Sequence, residues 1–442
     1  MANGLSRMIR WSAPISTIKA LAGDRRGVIA IMFALMLPIM IGFIGLGVEV
    51  GYWFQHRRNL QTAADAAALA GAYANIFSES ISTAAIADAT RNSYSSSTDT
   101  ISATSVTTST AGNTYTADQY AVEVTMTRTV QLMFAKVLIS NDVTINAVAV
   151  AVAVPGGDEA CVLALNTTAQ RAVSVTGTAT VSMEGCEVAS NSIASNSINV
   201  SNNATLEADC VSTVGDVSGT VTLGTCSSEN ISVPAIDDPY DTLAVPTYSG
   251  CDYPSTGSGY TASDGETLTM RTGESYTVIC GGLTVSSGDT VSLDPGIYIV
   301  DKGTFKVTGG GTLTGTGVTI ILTSSTASNY ADVSVTGGGT ITLTAPTSGT
   351  YSGILLFQDT AATYSASDSF DFSGDSNAEL TGVIYVPKND VNFTGGNELD
   401  DNGCLKIVAR TVSFSGNADM ENDCGAYGIT PIYVSYVASL VE

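Results

Sequence analysis

The chain has 442 residues, of which 44% are hydrophobic and only 13% are charged, and its formal net charge is −24. Residues 1–60 carry a net charge of +5, so the rest of the chain carries −29. An acidic region of this size argues against nucleic acid and anionic lipid as partners, because both repel negative charge.

The first predicted element is a helix that crosses a membrane once. Residues 28–48 contain no charge, and as a helix they would span roughly 32 Å, enough for the hydrocarbon core. Basic residues are more frequent before the span than just after it: Arg7, Arg10, Lys19, Arg25 and Arg26 against Arg57 and Arg58. Basic flanks stay in the cytoplasm, so residues 1–27 are predicted to be a cytoplasmic tail and residues from about 52 to lie outside. A cleaved signal peptide is the main alternative, but its apolar core is usually shorter, about 7–15 residues.

The same helix is predicted to continue beyond the membrane, so that residues 28–77 form one element. Ala and Gly recur every four residues over 61–74, and a Gly pair repeats this spacing at the outer membrane edge. Small residues at this spacing let two helices approach closely, although Ala is also simply the best helix former. The predicted helix-packing residues are Gly47, Gly51, Ala63, Ala67 and Gly71.

Residues 24–75 resemble the N-terminal region of TadE/TadG-like Flp pilus-assembly proteins. The likeness rests on RRGVIAIMFALMLP, the aromatic pair Tyr52–Trp53 and NLQTAADAAALAGA, in that order. A looser likeness over 121–153 implies a small α/β periplasmic domain at 78–154. The resemblance implies a non-enzymatic, single-pass protein of the bacterial inner membrane with most of its chain in the periplasm. Its implied partners are other pilus-assembly or envelope proteins bound through the N-terminal helix, with a homo-oligomer as a further possibility.

One position departs from the pattern of pilin-like members of this family. Those members carry a Glu five residues after the Gly at which they are cleaved. Here Gly27 would be that Gly, and the fifth residue after it is Met32. The departure favours the TadG type, an anchored envelope component, and leaves processing after Gly27 open.

Residues 155–430 are rich in Ser, Thr and Gly and contain two interleaved strand motifs. One reads VSVTG, FKVTG, FDFSG, VNFTG and VSFSG, and the other reads IYIV, VTIIL, ILLF, VIYV and LKIV. A shared period near 21 residues predicts a parallel β-helix, right-handed by the general rule for parallel crossovers, with Gly at its corners. A β-sandwich is the alternative. Residues 227–275 are predicted to be a loop-rich excursion, and residues 431–442 a C-terminal tail. The fold class is therefore mainly β.

All eight cysteines lie beyond the predicted membrane helix, which indicates disulfides formed in an oxidising compartment. They are Cys161, Cys186, Cys210, Cys226, Cys251, Cys280, Cys404 and Cys424. Cys404 and Cys424 lie about one coil apart, and a bond between them would leave 161–186, 210–226 and 251–280 as pairs of sequence neighbours. Eight cysteines allow 105 connectivities, so the sequence leaves the pairing open.

Catalytic, metal and cofactor sites are not predicted. Acidic and basic residues that could gather on neighbouring coils are Asp371, Asp375, Lys388, Asp390, Asp400, Asp401 and Arg410, but ordinary solvated charges explain them better. The only histidine is His56, and there is no Cys-x-x-Cys and no nucleophile elbow. We therefore expect a structural component of Flp/Tad pilus assembly or of an envelope surface apparatus. The alternative is a β-helix protein that binds or degrades polysaccharide.

Overall fold

The computed structural model describes residues 28–77, 79–137, 141–157, 159–254, 259–365, 370–373, 377–395, 404–421 and 424–441. The predicted cytoplasmic tail and Gly27 lie outside these residues. The chain divides into two compact units. The first comprises Met1–Val154 with Ala438–Glu442, and the second is Pro155–Val437.

The first unit combines two helices with an antiparallel sheet. Helix α1 covers Val28–Ile76, with Pro38 inside it, and α2 covers Ile81–Arg91, with the Ser80 side chain accepting a hydrogen bond from the Thr83 N–H at its start. Short 3-10 helices lie at Ala117–Gln119 and Ala135–Val137. The sheet has the order β1 (Asp99–Ser105), β2 (Val122–Val130), β3 (Val143–Pro155) and then the chain's last strand, β26 (Tyr436–Leu440).

The C-terminal segment 431–442 thus differs from the tail that the sequence predicted. Its strand joins the edge of the first unit's sheet beside β3, and the Val441 N–H donates to the Val150 carbonyl at 2.9 Å. A short segment with no sequence repeat gives little local signal for a strand, and here it is the edge of an existing sheet that supplies the hydrogen-bond partners.

The second unit is a parallel β-helix of about 10 turns, as predicted. Its strands are β4 (Ala160–Ala164), β5 (Val173–Val175), β6 (Thr180–Ser190), β7 (Ile198–Val200), β8 (Thr205–Thr213), β9 (Val217–Ser218), β10 (Val221–Leu223), β11 (Asn230–Ile231), β12 (Tyr260–Thr261), β13 (Glu266–Leu268), β14 (Tyr276–Val285), β15 (Thr290–Leu293), β16 (Gly296–Val307), β17 (Thr312–Thr316), β18 (Val318–Thr323), β19 (Asp332–Val335), β20 (Thr340–Thr344), β21 (Ile354–Gln358), β22 (Phe370–Ser373), β23 (Asn377–Thr394), β24 (Leu405–Phe414) and β25 (Ala418–Glu421). Named pairings within this unit are parallel, unlike the antiparallel ladders of a β-sandwich.

Each coil contributes to three sheets, here called sheets I, II and III. In one coil, residues 276–280 of β14 lie in sheet I, residues 283–285 lie in sheet II and β15 lies in sheet III. Gly282 forms the corner between sheets I and II with φ +96°, and a Cβ there would lie 2.5 Å from the Thr304 carbonyl oxygen. This corner therefore requires glycine.

The two strand motifs correspond to two kinds of sheet environment. In sheet II one face packs inward, and Phe372, Phe393 and Phe414 stack on successive coils with ring centroids 5.0 and 5.4 Å apart. Sheet I is buried on both faces, since Ile320 belongs to the interior core and its neighbour Ile321 to a second cluster on the outer face. Burial on both faces explains why its motif is a continuous apolar run.

The stacking order of the coils does not follow the chain order. The last coil pairs with the first one, with Val412 beside Val173 and Ala418 beside Val181. The ends of the stack are therefore formed by β10 and β11 at one side and by β12 and β13 at the other. Between β11 and β12 the chain must pass from one end of the stack to the other.

Residues 232–254, here called the strap, make this passage over the outer face of sheet I. The Ile236 N–H and carbonyl bond the Asn191 side chain at 2.8 and 2.7 Å. Farther along, the Tyr385 hydroxyl donates to Asp238 at 2.9 Å, and the Tyr351 hydroxyl donates to the Ala244 carbonyl. The predicted excursion 227–275 thus contains the strap together with short strands at both ends of the stack.

Candidate functional site

Helix α1 exposes apolar side chains along its first half. Large hydrophobic residues from Ile29 to Phe54 are more than a third exposed, whereas the helix is packed into the first unit from about Leu60 onward. Among the described residues, α1 is the one helix that is long and apolar enough to cross a membrane.

Glu49 is the charged residue at the end of the exposed apolar half, and it is fully buried. Its carboxylate accepts hydrogen bonds from the Met133 N–H at 2.7 Å, from the Phe134 N–H at 2.9 Å and from the Ala135 N–H. These donors begin the 3-10 helix Ala135–Val137 and have no partner within it, so the carboxylate satisfies them as a cap does. The sequence signal was Glu49 itself, the only charged residue between Val28 and Arg57, and our sequence analysis did not use it.

The predicted helix-packing residues fall on different faces of α1. Ala63 and Ala67 are fully buried in the core of the first unit, and a Cβ at Gly71 would lie 3.0 Å from Val122. These residues pack against the chain's own sheet and α2. Gly47 and Gly51 have no atom near the position of an added Cβ.

The helical period places this Gly pair away from the rest of the unit. At about 100° per residue, Gly47 and Gly51 lie on the side of α1 opposite Gly45 and Glu49. The side of Gly45 and Glu49 contacts residues 133–135. The side of Gly47 and Gly51 is smooth and open to a second helix.

The segment that carries this geometry matches a known family. Residues 27–74 match the family model described as putative Flp pilus-assembly TadE/G-like. This segment is a TadE/G-like Flp pilus-assembly domain. The match does not extend to residues 121–153, where the looser likeness stays a prediction. No curated protein and no solved structure matches the chain.

A buried ion pair stabilises the sheet that packs on the TadE/G-like segment. Arg128 Nε and Nη2 donate to the two carboxylate oxygens of Asp99, each at 2.7 Å, and Nη2 also donates to the Ser93 carbonyl. Burial by itself would raise the pKa of Asp99, but hydrogen bonds from Arg128, the Ser95 N–H and Thr98 outweigh it and hold this pKa below its ordinary value. The sequence analysis did not identify this pair, because its members lie 29 residues apart.

The cysteines form the four disulfides between sequence neighbours: Cys161–Cys186, Cys210–Cys226, Cys251–Cys280 and Cys404–Cys424. The pairing considered from the sequence is therefore the one in the structure. Cys251–Cys280 joins the end of the strap to sheet I, since Cys280 lies in β14.

The charged residues considered for catalysis are held in separate local contacts. Arg410 pairs with Asp390, and its guanidinium lies 3.7 Å from the centroid of the Tyr364 ring. Asp371 accepts a hydrogen bond from Asn392 at 2.8 Å, and the Lys388 N–H donates to the Gln358 side chain. Asp375, Asp400 and Asp401 lie outside the described residues.

The structure adds one buried pair on the outer face of sheet I. Lys406 is fully buried and pairs with Glu159, and burial lowers the pKa of Lys406 although Glu159 raises it. In the part of the chain that the structure describes, no group of three or more His, Cys, Asp or Glu residues could hold a metal ion.

Proposed function

We propose that this protein is a membrane-anchored structural component of Flp/Tad pilus assembly or of a related envelope apparatus. The observation that carries the proposal is the TadE/G-like domain at residues 27–74, which coincides with the exposed apolar half of α1 and its continuation into the first unit. In this proposal α1 crosses the bacterial inner membrane with the N-terminus in the cytoplasm, and the β-helix lies in the periplasm. Disulfides favour an oxidising compartment of this kind.

We propose further that a partner helix packs on α1 at Gly47 and Gly51. Their open face, opposite the contacts of Glu49, supports this. Where no side chain intervenes, two helix backbones can approach closely and gain packing contacts in the membrane. A pilus-assembly or envelope protein with one membrane helix is the expected partner.

The assembly role is tested in a deletion strain complemented with the full chain. We expect the deletion to reduce piliation, as measured by surface filament counts and adherence, and wild type to restore it. The double variant Gly47→Leu/Gly51→Leu should fail to restore it at normal protein level. Gly42→Leu is the matched control, because Gly42 lies on the opposite side of α1 and an added Cβ there also meets no atom. A deletion strain with normal pili and adherence would refute the assembly role.

The topology is tested separately with alkaline phosphatase, which is active only in the periplasm. A fusion after residue 77 should be active, whereas a fusion before residue 28 should be inactive. The opposite pattern would place the β-helix in the cytoplasm and refute the proposed orientation.

A further inference from the structure

The uncharged surface of α1 extends beyond residue 48, because Glu49 is buried and bonded to backbone N–H groups. Val48 and Phe54 are exposed apolar residues on either side of it. The next charged residues are Arg57 and Arg58, both exposed. From Ile29 to Phe54 the surface of α1 is therefore uncharged over about 39 Å, longer than a hydrocarbon core of about 30 Å.

A loop of the first unit lies beside this surface. Phe134 packs on α1, since a Cβ at Gly45 would lie 3.1 Å from its ring. Gly45 lies four residues before Glu49 and hence about 6 Å nearer the membrane centre. Met133 and Phe134 are 50% and 52% exposed, although both are large and apolar.

A loop at this depth has a backbone problem that Glu49 solves. In the hydrocarbon region an unpaired N–H costs several kcal/mol, because no water is present to accept its hydrogen bond. The N–H groups of residues 133–135 all donate to Glu49. Leu132 and Ala135 are buried, so the outward side of the loop consists of Met133, Phe134 and the exposed Lys136.

We infer that residues 131–137, here called the membrane loop, form a second membrane contact. Met133 and Phe134 insert into the boundary between headgroups and acyl chains of the leaflet at the C-terminal end of the span, and Lys136 extends towards the headgroups. The occupant is lipid because the exposed side chains continue the apolar surface of α1. Tyr52 and Trp53, the residue types enriched at membrane interfaces, lie on the next turn after Glu49. The inference rests on the proposed membrane anchor.

The test measures the depth of single tryptophans in the full chain reconstituted into phosphatidylcholine vesicles. Trp11 and Trp53 are replaced by Phe, and one tryptophan is introduced as Phe134→Trp or Met133→Trp. Acyl chains brominated near the headgroup should quench both tryptophans more strongly than chains brominated near their end. Met40→Trp reports the span and should show the reverse order, and Ile193→Trp, exposed on the β-helix, should keep its full fluorescence.

The controls separate failure of the loop from failure of the anchor. If Met40→Trp is quenched while both loop variants keep full fluorescence, the membrane loop is refuted and the anchor stands. If Met40→Trp is also unquenched, the anchor and the inference both fail. Equal quenching of Ile193→Trp would show adsorption of the whole protein and would likewise overturn the inference.

Discussion

At the scale of single residues, buried carboxylates determine how the first unit is held together. Glu49 bonds three backbone N–H groups, and Asp99 bonds the Arg128 guanidinium through both oxygens. Hydrogen bonds to a charged group are stronger than neutral ones, and removing one partner leaves the other unsatisfied in a buried place. These two acids are therefore the positions where a single substitution should have the largest effect.

Glu49→Ala should destabilise the first unit by about 3 kcal/mol or more, because it leaves buried N–H groups of residues 133–135 without acceptors. Glu49→Gln keeps one acceptor oxygen and should cost less. Hydrogen exchange of peptides covering 131–137 measures the local effect. Asp65→Ala is the control, since the half-buried Asp65 accepts from Gln61 only, and its exchange rates should stay near wild type. Equal protection of the loop in Glu49→Ala and wild type would contradict the capping role.

Asp99 should make the first unit acid-sensitive. Because its pKa in the fold lies below the ordinary value, the stabilisation is present at neutral pH and is lost as pH falls below about 4 towards the folded pKa. Hydrogen exchange of β1 in wild type and Asp99→Asn should therefore differ at neutral pH and converge in acid.

Asp238 provides a contrast of opposite sign. Burial raises its pKa, although the Tyr240 N–H and the Tyr385 hydroxyl lower it, so the folded state favours the protonated acid. Asp238→Asn should show no loss of advantage for wild type in acid. A pH-independent difference between wild type and Asp99→Asn would refute the assigned role of Asp99.

At the scale of elements, the strap turns one sheet of the β-helix into an internal layer. Apolar strap residues pack with the outer cluster of sheet I, and polar contacts fix the strap at intervals along the stack. Sheet I can therefore be apolar on both faces without exposing a large hydrophobic patch. The side of the stack that the strap covers is the side where the sequence motif is uninterrupted.

Asn191→Ala should release the start of the strap. Both amide atoms of this buried side chain bond Ile236, so the substitution leaves the N–H and carbonyl of Ile236 unpaired and should cost about 2–3 kcal/mol locally. The expected result is faster proteolysis between residues 232 and 250 under non-reducing conditions. Asn392→Ala is the matched control, because Asn392 bonds only the surface side chains of Asp371 and Ser413. A strap equally resistant in both variants would show that Asn191 does not hold it.

At the scale of the whole chain, the second unit joins its own first and last coils inside one stack. The coil that begins at β4 is therefore internal, and both ends of the stack come from the middle of the sequence. A chain that simply wound from residue 160 to residue 421 would instead place these two coils at opposite ends.

A designed disulfide distinguishes these two arrangements. Asp419 and Ser182 are register partners in sheet III, and Cα atoms of neighbouring strands lie about 4.8 Å apart, within the range of about 4.4–6.8 Å for disulfides. Asp419→Cys/Ser182→Cys should form a new bond in periplasm-expressed protein, detected by mass mapping without reduction. Asp419→Cys/Ser292→Cys should leave both new thiols free, because Ser292 lies on a different coil. Free thiols in the first pair would refute the observed coil order.

The sequence by itself determined the features that arise from local pattern. An uncharged run of 21 residues marks a helix that can cross a membrane, and the order of anchor, aromatic pair and Ala-rich block identifies the TadE/G-like domain. The 21-residue rhythm predicts the β-helix because each coil repeats the same strand and corner requirements. Disulfides between sequence neighbours follow the same logic, since neighbouring coils bring such cysteines close together.

Only the tertiary structure decided the coil order, the strap and the role of Glu49. Coils with the same repeat offer similar edges to one another, so the period cannot specify that the coil of Val412 stacks on the coil of Val173. Glu49 finds its donors 84 to 86 residues later in the chain, at a separation where periodicity carries no information. Its burial, and with it the membrane loop, becomes visible only when these distant segments are packed together.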